Sequence, residues 1–195
     1  MLQIKDLGTE KLLPDDSDLI PIQEIGGTTR HIKRGNFIAG ISGGISNKYI
    51  QLLDSRPNGT AGGTAIIGSW ANRKINTLAI DELETTSLAN DIFTLDAGVY
   101  RLDCITTYYK GNFIRTRLFN ISDNAAISNV FSVNTYNGAE ACTYSILKGK
   151  FTIETRQQLS IQYRVSSSNG TGTGLGEPCN FGQNEIFLLA DIWKL

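Results

Sequence analysis

Between Asp96 and Asn120 the chain reads DAGVYRLDCITTYYKGNFIRTRLFN, and its apolar positions alternate. Tyr100, Leu102, Cys104 and Tyr108 fall on one parity; Arg101, Asp103 and Thr107 fall on the other. Period two in β-branched and aromatic residues predicts a half-buried strand. Lys110-Gly111-Asn112 has turn chemistry, and a second strand is predicted from Phe113 to Ile121. The pattern therefore predicts a β-hairpin with one apolar and one charged face. A lone hairpin is unstable in water, so other strands must cover that apolar face. Further strand-like runs lie near 63–69, 73–80, 127–136, 140–154, 158–166 and 185–195. Many strands with turn punctuation and hardly any helix predict a mainly β fold, an antiparallel sandwich.

The two ends of the chain break this rhythm. In NEIFLLADIWKL, Ile186, Leu188, Ala190 and Ile192 share one parity, while Phe187, Leu189, Trp193 and Leu195 share the other. A strand that is apolar on both parities predicts one face in the core and one against another subunit. Near the N-terminus, Leu19-Ile20-Pro21-Ile22, a Gly26-Gly27 turn and Thr28–Ile32 predict two short strands. These are too few to bury a core of their own, so they need a partner. From Ile38 to Leu53, apolar residues recur at Ile38, Ile41, Ile45, Tyr49 and Leu52, the steps of an amphipathic helix. Gly40, Gly43 and Gly44 weaken its first half. Asp54–Gly63, DSRPNGTAGG, has linker composition. The expected division is an attachment segment over 1–53, a linker over 54–63 and the β domain over 64–195.

Composition narrows the chemistry. With 18 basic and 19 acidic residues the net charge is −1, which gives no reason to expect nucleic acid as a partner. No apolar run approaches the roughly 18 residues of a membrane span, so no membrane insertion is expected. The first residues lack a basic stretch followed by an apolar one, so no signal peptide is expected, and the protein should be made in a reducing cytosol. Cys104, Cys142 and Cys179 are far apart, and Cys104 sits on an apolar parity as a small buried hydrophobe. The one histidine, His31, lies in a polar strand and has no packed pocket to serve. No close Cys/His pairs predict a metal site, and no phosphate-binding glycine motif opens a helix. No cofactor and no enzymatic activity are expected. Asp103, Glu140 and Glu154 remain the carboxylates from which a two-carboxylate hydrolytic site would be built. Arg115 and Arg117 share a face of their strand, either as a solvated surface or as subunit-interface ion pairs with Asp103.

Two sets of motifs carry a resemblance. Asp18-Leu19-Ile20-Pro21-Ile22 and Gly26-Gly27-Thr28-Thr29-Arg30 resemble the opening module of many phage tail proteins. Then, in order, come Gly68-Ser69-Trp70, Phe93-Thr94-Leu95 with Ala97–Arg101, Arg117–Asn120, Gly149–Ile153, Gln162-Tyr163-Arg164, Asn180-Phe181-Gly182 and Ile192-Trp193-Lys194. This series resembles the jelly roll that ends many phage fibre and receptor-binding proteins, with Tyr163 where that pattern has His. The related fold is the trimeric jelly roll of tumour necrosis factor and the globular heads of the first complement component.

The resemblance implies a virion structural protein, a tail fibre or adhesin. Leu19, Ile20, Ile22, Thr28 and Ile32 would dock on another virion protein. Phe187, Leu189, Trp193 and Leu195, with Arg115 and Arg117, would form a homotrimer interface. The long irregular stretch from Ser166 to Gly182 would lie at one end of the sandwich. There Asn169, Thr171, Thr173 and Glu177 would contact a host surface glycan or protein, unless the loop is a tolerated insertion. A capsid decoration or head-fibre protein, and a polysaccharide-degrading tail enzyme, are the alternatives.

Overall fold

A computed structural model describes residues 19–23, 29–33, 48–127, 131–136, 140–168 and 171–195. The chain divides into two units, Met1–Ser46 and Asn47–Leu195. In the first, β1 (Leu19–Gln23) pairs antiparallel with β2 (Thr29–Lys33), Leu19 opposite Lys33 and Gln23 opposite Thr29.

The second unit holds twelve named strands. These are β3 (Lys48–Arg56), β4 (Ala71–Asn72), β5 (Thr77–Asp81), β6 (Leu88–Ala89), β7 (Ile92–Leu95) and β8 (Gly98–Tyr109). They continue as β9 (Phe113–Asn120), β10 (Ala125–Ala126), β11 (Phe131–Asn134), β12 (Cys142–Ile153), β13 (Gln157–Val165) and β14 (Glu185–Lys194). One sheet has the order β12-β8-β14-β3-β5; the other has the path β10-β9-β13-β7-β6, with β11 on β9 and β4 on β13. All pairings between these named strands are antiparallel. No helix occurs among the described residues.

The core lies between the sheets. Ile50, Leu52, Leu102, Cys104, Leu188, Ala190 and Ile192 from one sheet meet Phe93, Leu95, Leu118, Leu159 and Ile161 from the other. A second cluster joins Tyr108, Ile114, Tyr163 and Val165 to Ala65 and Leu175. β3, β7, β8 and β9 bury alternate residues because a pleated strand sends successive side chains to opposite faces.

Three expectations are corrected here. The central hairpin does not form: β8 pairs with β12 and β14, whereas β9 pairs with β13, β10 and β11. The Lys110–Asn112 turn crosses from one sheet to the other. Two strands that each carry one apolar face bury more by stacking those faces than by lying edge to edge, and Leu102 and Leu118 share one cluster.

The helix over 38–53 is the second correction. Lys48–Leu53 belong to β3, with Ile50 and Leu52 fully buried and Tyr49, Gln51 and Leu53 on the opposite face. Tyr49 and Leu52 fit a helical step, but Ile50 and Leu52 fit a strand, and pairing with β14 on one side and β5 on the other decides it. The remainder of that predicted helix, residues 38–47, lies outside the described residues. The third correction follows from the second. The boundary lies after Ser46 rather than in 54–63, because β3 is an internal strand of the sandwich.

Candidate functional site

The last strand shows how the outward surface is set. A register shift between Ile186 and Leu188 puts Phe187 and Leu188 both inside. Phe187 is therefore buried, not at a subunit face, and its carbonyl accepts from Arg73 and Thr107. A Cβ on Gly176, whose φ is +150°, would run into the Phe187 ring, so glycine is required there. Beyond the bulge, alternation returns. Leu189 and Trp193 are half-buried on the outer face of the five-stranded sheet, and Leu195 is exposed after the strand.

Register makes that outer face readable row by row. Leu189 lies opposite Leu53 on one side and Ile105 on the other, and Ile105 lies opposite Ile146. Four strands thus carry one continuous apolar row, Ile146–Ile105–Leu189–Leu53, in which Ile105 is 45% exposed. The next row is polar and internally paired. Asp103 accepts from Arg101 at 2.8 Å and lies 3.7 Å from Lys148. Asp191 accepts from the Tyr49 hydroxyl at 2.5 Å and from Gln51 at 3.0 Å. Burial, with Asp191 adding to it, pushes the Tyr49 hydroxyl up to about 12. Beyond it, Tyr49 packs against Trp193 and Arg101 lies over the same indole.

The outer face of the seven-stranded sheet is different. Arg115 and Arg117 project there from β9, so the expected ion pair with Asp103 does not form. Asp103 belongs to the other sheet, and the failed hairpin is the reason. Arg117 is held in place: its guanidinium lies 3.9 Å from the Trp70 ring and 4.3 Å from the Phe119 ring. Its Nε and Nη2 donate to Gln162 Oε1 at 3.0 and 2.7 Å, and Gln162 donates to Asn72. This desolvation lowers the Arg117 pKa.

Arg115 sits directly opposite Arg164 of β13, with Ser132 of β11 on its other side. A groove of about 390 Å³ is lined by Gly68, Phe113, Arg115, Arg164 and Ser166. Phe113 is 62% exposed and its neighbour across β11 is Asn134. Among the described residues, neither Arg115 nor Arg164 has a carboxylate within ion-pair reach.

The loop expected to contact a glycan is partly core. Asn169 lies outside the described residues, Thr171 and Glu177 are exposed and Thr173 is half-buried. Leu175, however, is buried at 3%, and its carbonyl accepts from the buried Arg73 and from Thr107. Its N–H donates to Gly63 and the Gly174 carbonyl accepts from Tyr109. The segment around Leu175 is thus fixed to the sandwich. Of the docking residues, Leu19 is exposed and Thr28 lies outside the described residues; Ile20, Ile22 and Ile32 lie in β1 and β2.

Gly68–Leu78 carries part of the jelly-roll resemblance but no chemistry legible in sequence, and the structure supplies three roles. Trp70 clamps Arg117, Arg73 is the buried cation, and Asn76 pins β3 by donating to the Ser55 carbonyl at 2.7 Å while accepting from its N–H at 2.9 Å. The carboxylates considered for hydrolysis are dispersed. Asp103 is engaged on the five-stranded sheet, Glu140 pairs with Lys110 at 3.7 Å, and Glu154 is exposed.

No family model matches the sequence, and no curated protein matches it. Solved structures do. The globular domain of a zebrafish complement 1qA protein matches with a TM-score of 0.50 at 11% identity, covering 77% of this chain and 98% of that one. Murine APRIL at pH 8.0 matches with a TM-score of 0.49 at 11% identity, covering 76% of this chain and 98% of that one. At such identity it is the fold that is shared: an all-β jelly roll of the complement-head type.

Proposed function

We propose that this chain is a structural binding protein of a phage virion, an adhesin. Its N-terminal segment attaches to another virion protein. Its jelly roll assembles as a homotrimer through the outer face of the five-stranded sheet and carries host-contact surface on the rest. The observation behind the assembly is the apolar row Ile146–Ile105–Leu189–Leu53, beside a row in which Asp103 pairs with Arg101 and Lys148 and Asp191 is hydrogen-bonded by Tyr49 and Gln51. Burying such a face removes apolar area from water, and its carboxylates already have hydrogen-bond partners. The opposite face would bury two adjacent unpaired arginines, which is unfavourable. Virion origin rests on the sequence motifs alone. Immunogold labelling of intact particles with antibody to the jelly roll tests it: tail-associated gold is expected, and unlabelled particles would remove the reading.

A further inference from the structure

Arg115 and Arg164 of the seven-stranded sheet, without a carboxylate in reach among the described residues, ask for an explanation. Like charges directly opposite on neighbouring strands repel and destabilise a sheet. On the same face Arg117 shows what a structural arginine looks like: its guanidinium packs on the Trp70 and Phe119 rings and donates twice to Gln162. Arg115 and Arg164 have neither, although each guanidinium offers five donors in a fixed fork suited to an oxyanion. Both line an open concavity of about 390 Å³. Phe113 stands at that concavity with most of its ring in solvent, and the Ser166 hydroxyl lines it. Ser132 and Asn134 follow on the adjoining strand, one beside Arg115 and the other beside Phe113.

We propose that this groove binds an acidic sugar, a pyranose bearing a carboxylate. The carboxylate lies between the Arg115 and Arg164 guanidiniums, and the apolar C–H face of the ring packs on Phe113. Sugar hydroxyls exchange hydrogen bonds with Ser166, Ser132 and Asn134. The arginines supply charge-assisted bonds, the strongest class available at such a surface. The exposed ring favours a sugar over a bare inorganic anion, because a small anion leaves Phe113 without a function. The site is built from one chain and does not need the trimer. It deepens the adhesin reading by naming a ligand class and a place distinct from the Ser166–Gly182 loop tip.

The test is titration calorimetry of the full chain with a glucuronic-acid oligosaccharide, a neutral glucose oligosaccharide of equal length and inorganic phosphate. Binding of the acidic oligomer is expected, with affinity falling as salt rises. The neutral oligomer should bind at least tenfold more weakly. Arg115→Gln and Arg164→Gln should each weaken binding at least tenfold, while Lys150→Gln on the other sheet leaves it unchanged. Because each substitution relieves like-charge repulsion, the Tm of both variants should hold or rise. Equal binding of charged and neutral oligomers overturns the proposal, as does phosphate competing at the same concentration as the sugar. A fall in Tm for both arginine variants would also overturn it, by making the pair structural. Light scattering on the same samples separates the outcomes: monomers that bind acidic sugar defeat the trimer alone, and trimers that do not bind defeat the groove alone.

Discussion

Buried charge makes particular residues decisive in this sandwich. Arg73 and Asp54 are both fully inaccessible, with Nη1 and Oδ2 3.7 Å apart. Arg73 Nη2 donates to three carbonyls, of Thr107, Leu175 and Phe187, and so ties β8, the loop before β14 and β14 together. Burial pushes the Asp54 carboxyl up, and Arg73 and Arg56 pull against that. Removing one partner of such a pair leaves a buried charge uncompensated, at a cost of about 3–5 kcal/mol. Arg73→Met should lower stability by that order in urea unfolding, and adding Asp54→Asn should restore part of the loss. A second loss of equal size from the added substitution would show that Asp54 is held by Arg56 instead. Glu185 acts in the opposite sense. Its carboxylate accepts N–H bonds from Asn180, Cys179 and Gly59, fixing the loop before β14 to the turn after β3. The Asn180 bond, with the other two, holds its carboxyl below the ordinary value of 4.5. A group with a depressed folded pKa binds fewer protons when native. Its contribution is present above 4.5 and is lost as pH falls through the folded value. Glu185→Gln should therefore lower the urea midpoint at pH 7, and the gap should close in acid. A gap that persists at pH 2 would show that shape, not charge, matters there. Of these residues the sequence marked only Cys104 correctly in its environment: burial pushes its thiol up to about 12. Arg73 and Glu185 were illegible because both depend on carbonyl or N–H partners more than 30 residues away or on a loop conformation, and neither leaves a local pattern.

Among the elements, strands with strict alternation were readable and strands with mixed apolar parity were not. β8, β12 and β13 followed period two, and their bounds fell within a few residues of expectation. β3 was mistaken for a helix because its flanking isoleucines happened to match a helical step. The bulge in β14 was invisible because a register shift is a property of two strands. The pairing of β8 and β9 failed for a related reason: a short turn specifies a reversal, not which sheet the next strand joins. The position of β3 carries a prediction about truncation. Deleting residues 1–46 should leave a folded jelly roll with a cooperative thermal transition, since the second unit has its own core. Extending the deletion through Gly59 removes the internal strand that brings Ile50 and Leu52 into that core and separates β14 from β5. That longer deletion should yield aggregated or unfolded chain. A soluble product with a cooperative transition would mean that β14 can close on β5 directly.

Across the molecule the two sheets carry opposite surfaces, and the difference bears on assembly. The five-stranded sheet presents the apolar row beside hydrogen-bonded carboxylates; the seven-stranded sheet presents the arginine groove. A ring of identical subunits joins two different patches of each chain, so the apolar row would meet a different surface of the neighbouring subunit. The mass in light scattering should be three times the 21.3 kDa chain. Neighbouring positions of β14 then separate folding from assembly. Leu188 is buried at 1% within the sandwich, and Leu188→Asp should abolish the folded state by burying an unpaired charge. Leu189 is half-buried at the centre of the outer row, and Leu189→Asp should leave a folded protein of single-chain mass. Ile105→Asp, one strand away and 45% exposed, should do the same. If both outer variants stay trimeric, the apolar row is not the interface. If the unmodified chain is already a monomer at micromolar concentration, the row is open surface, and the proposal of binding then rests on the groove of the other sheet.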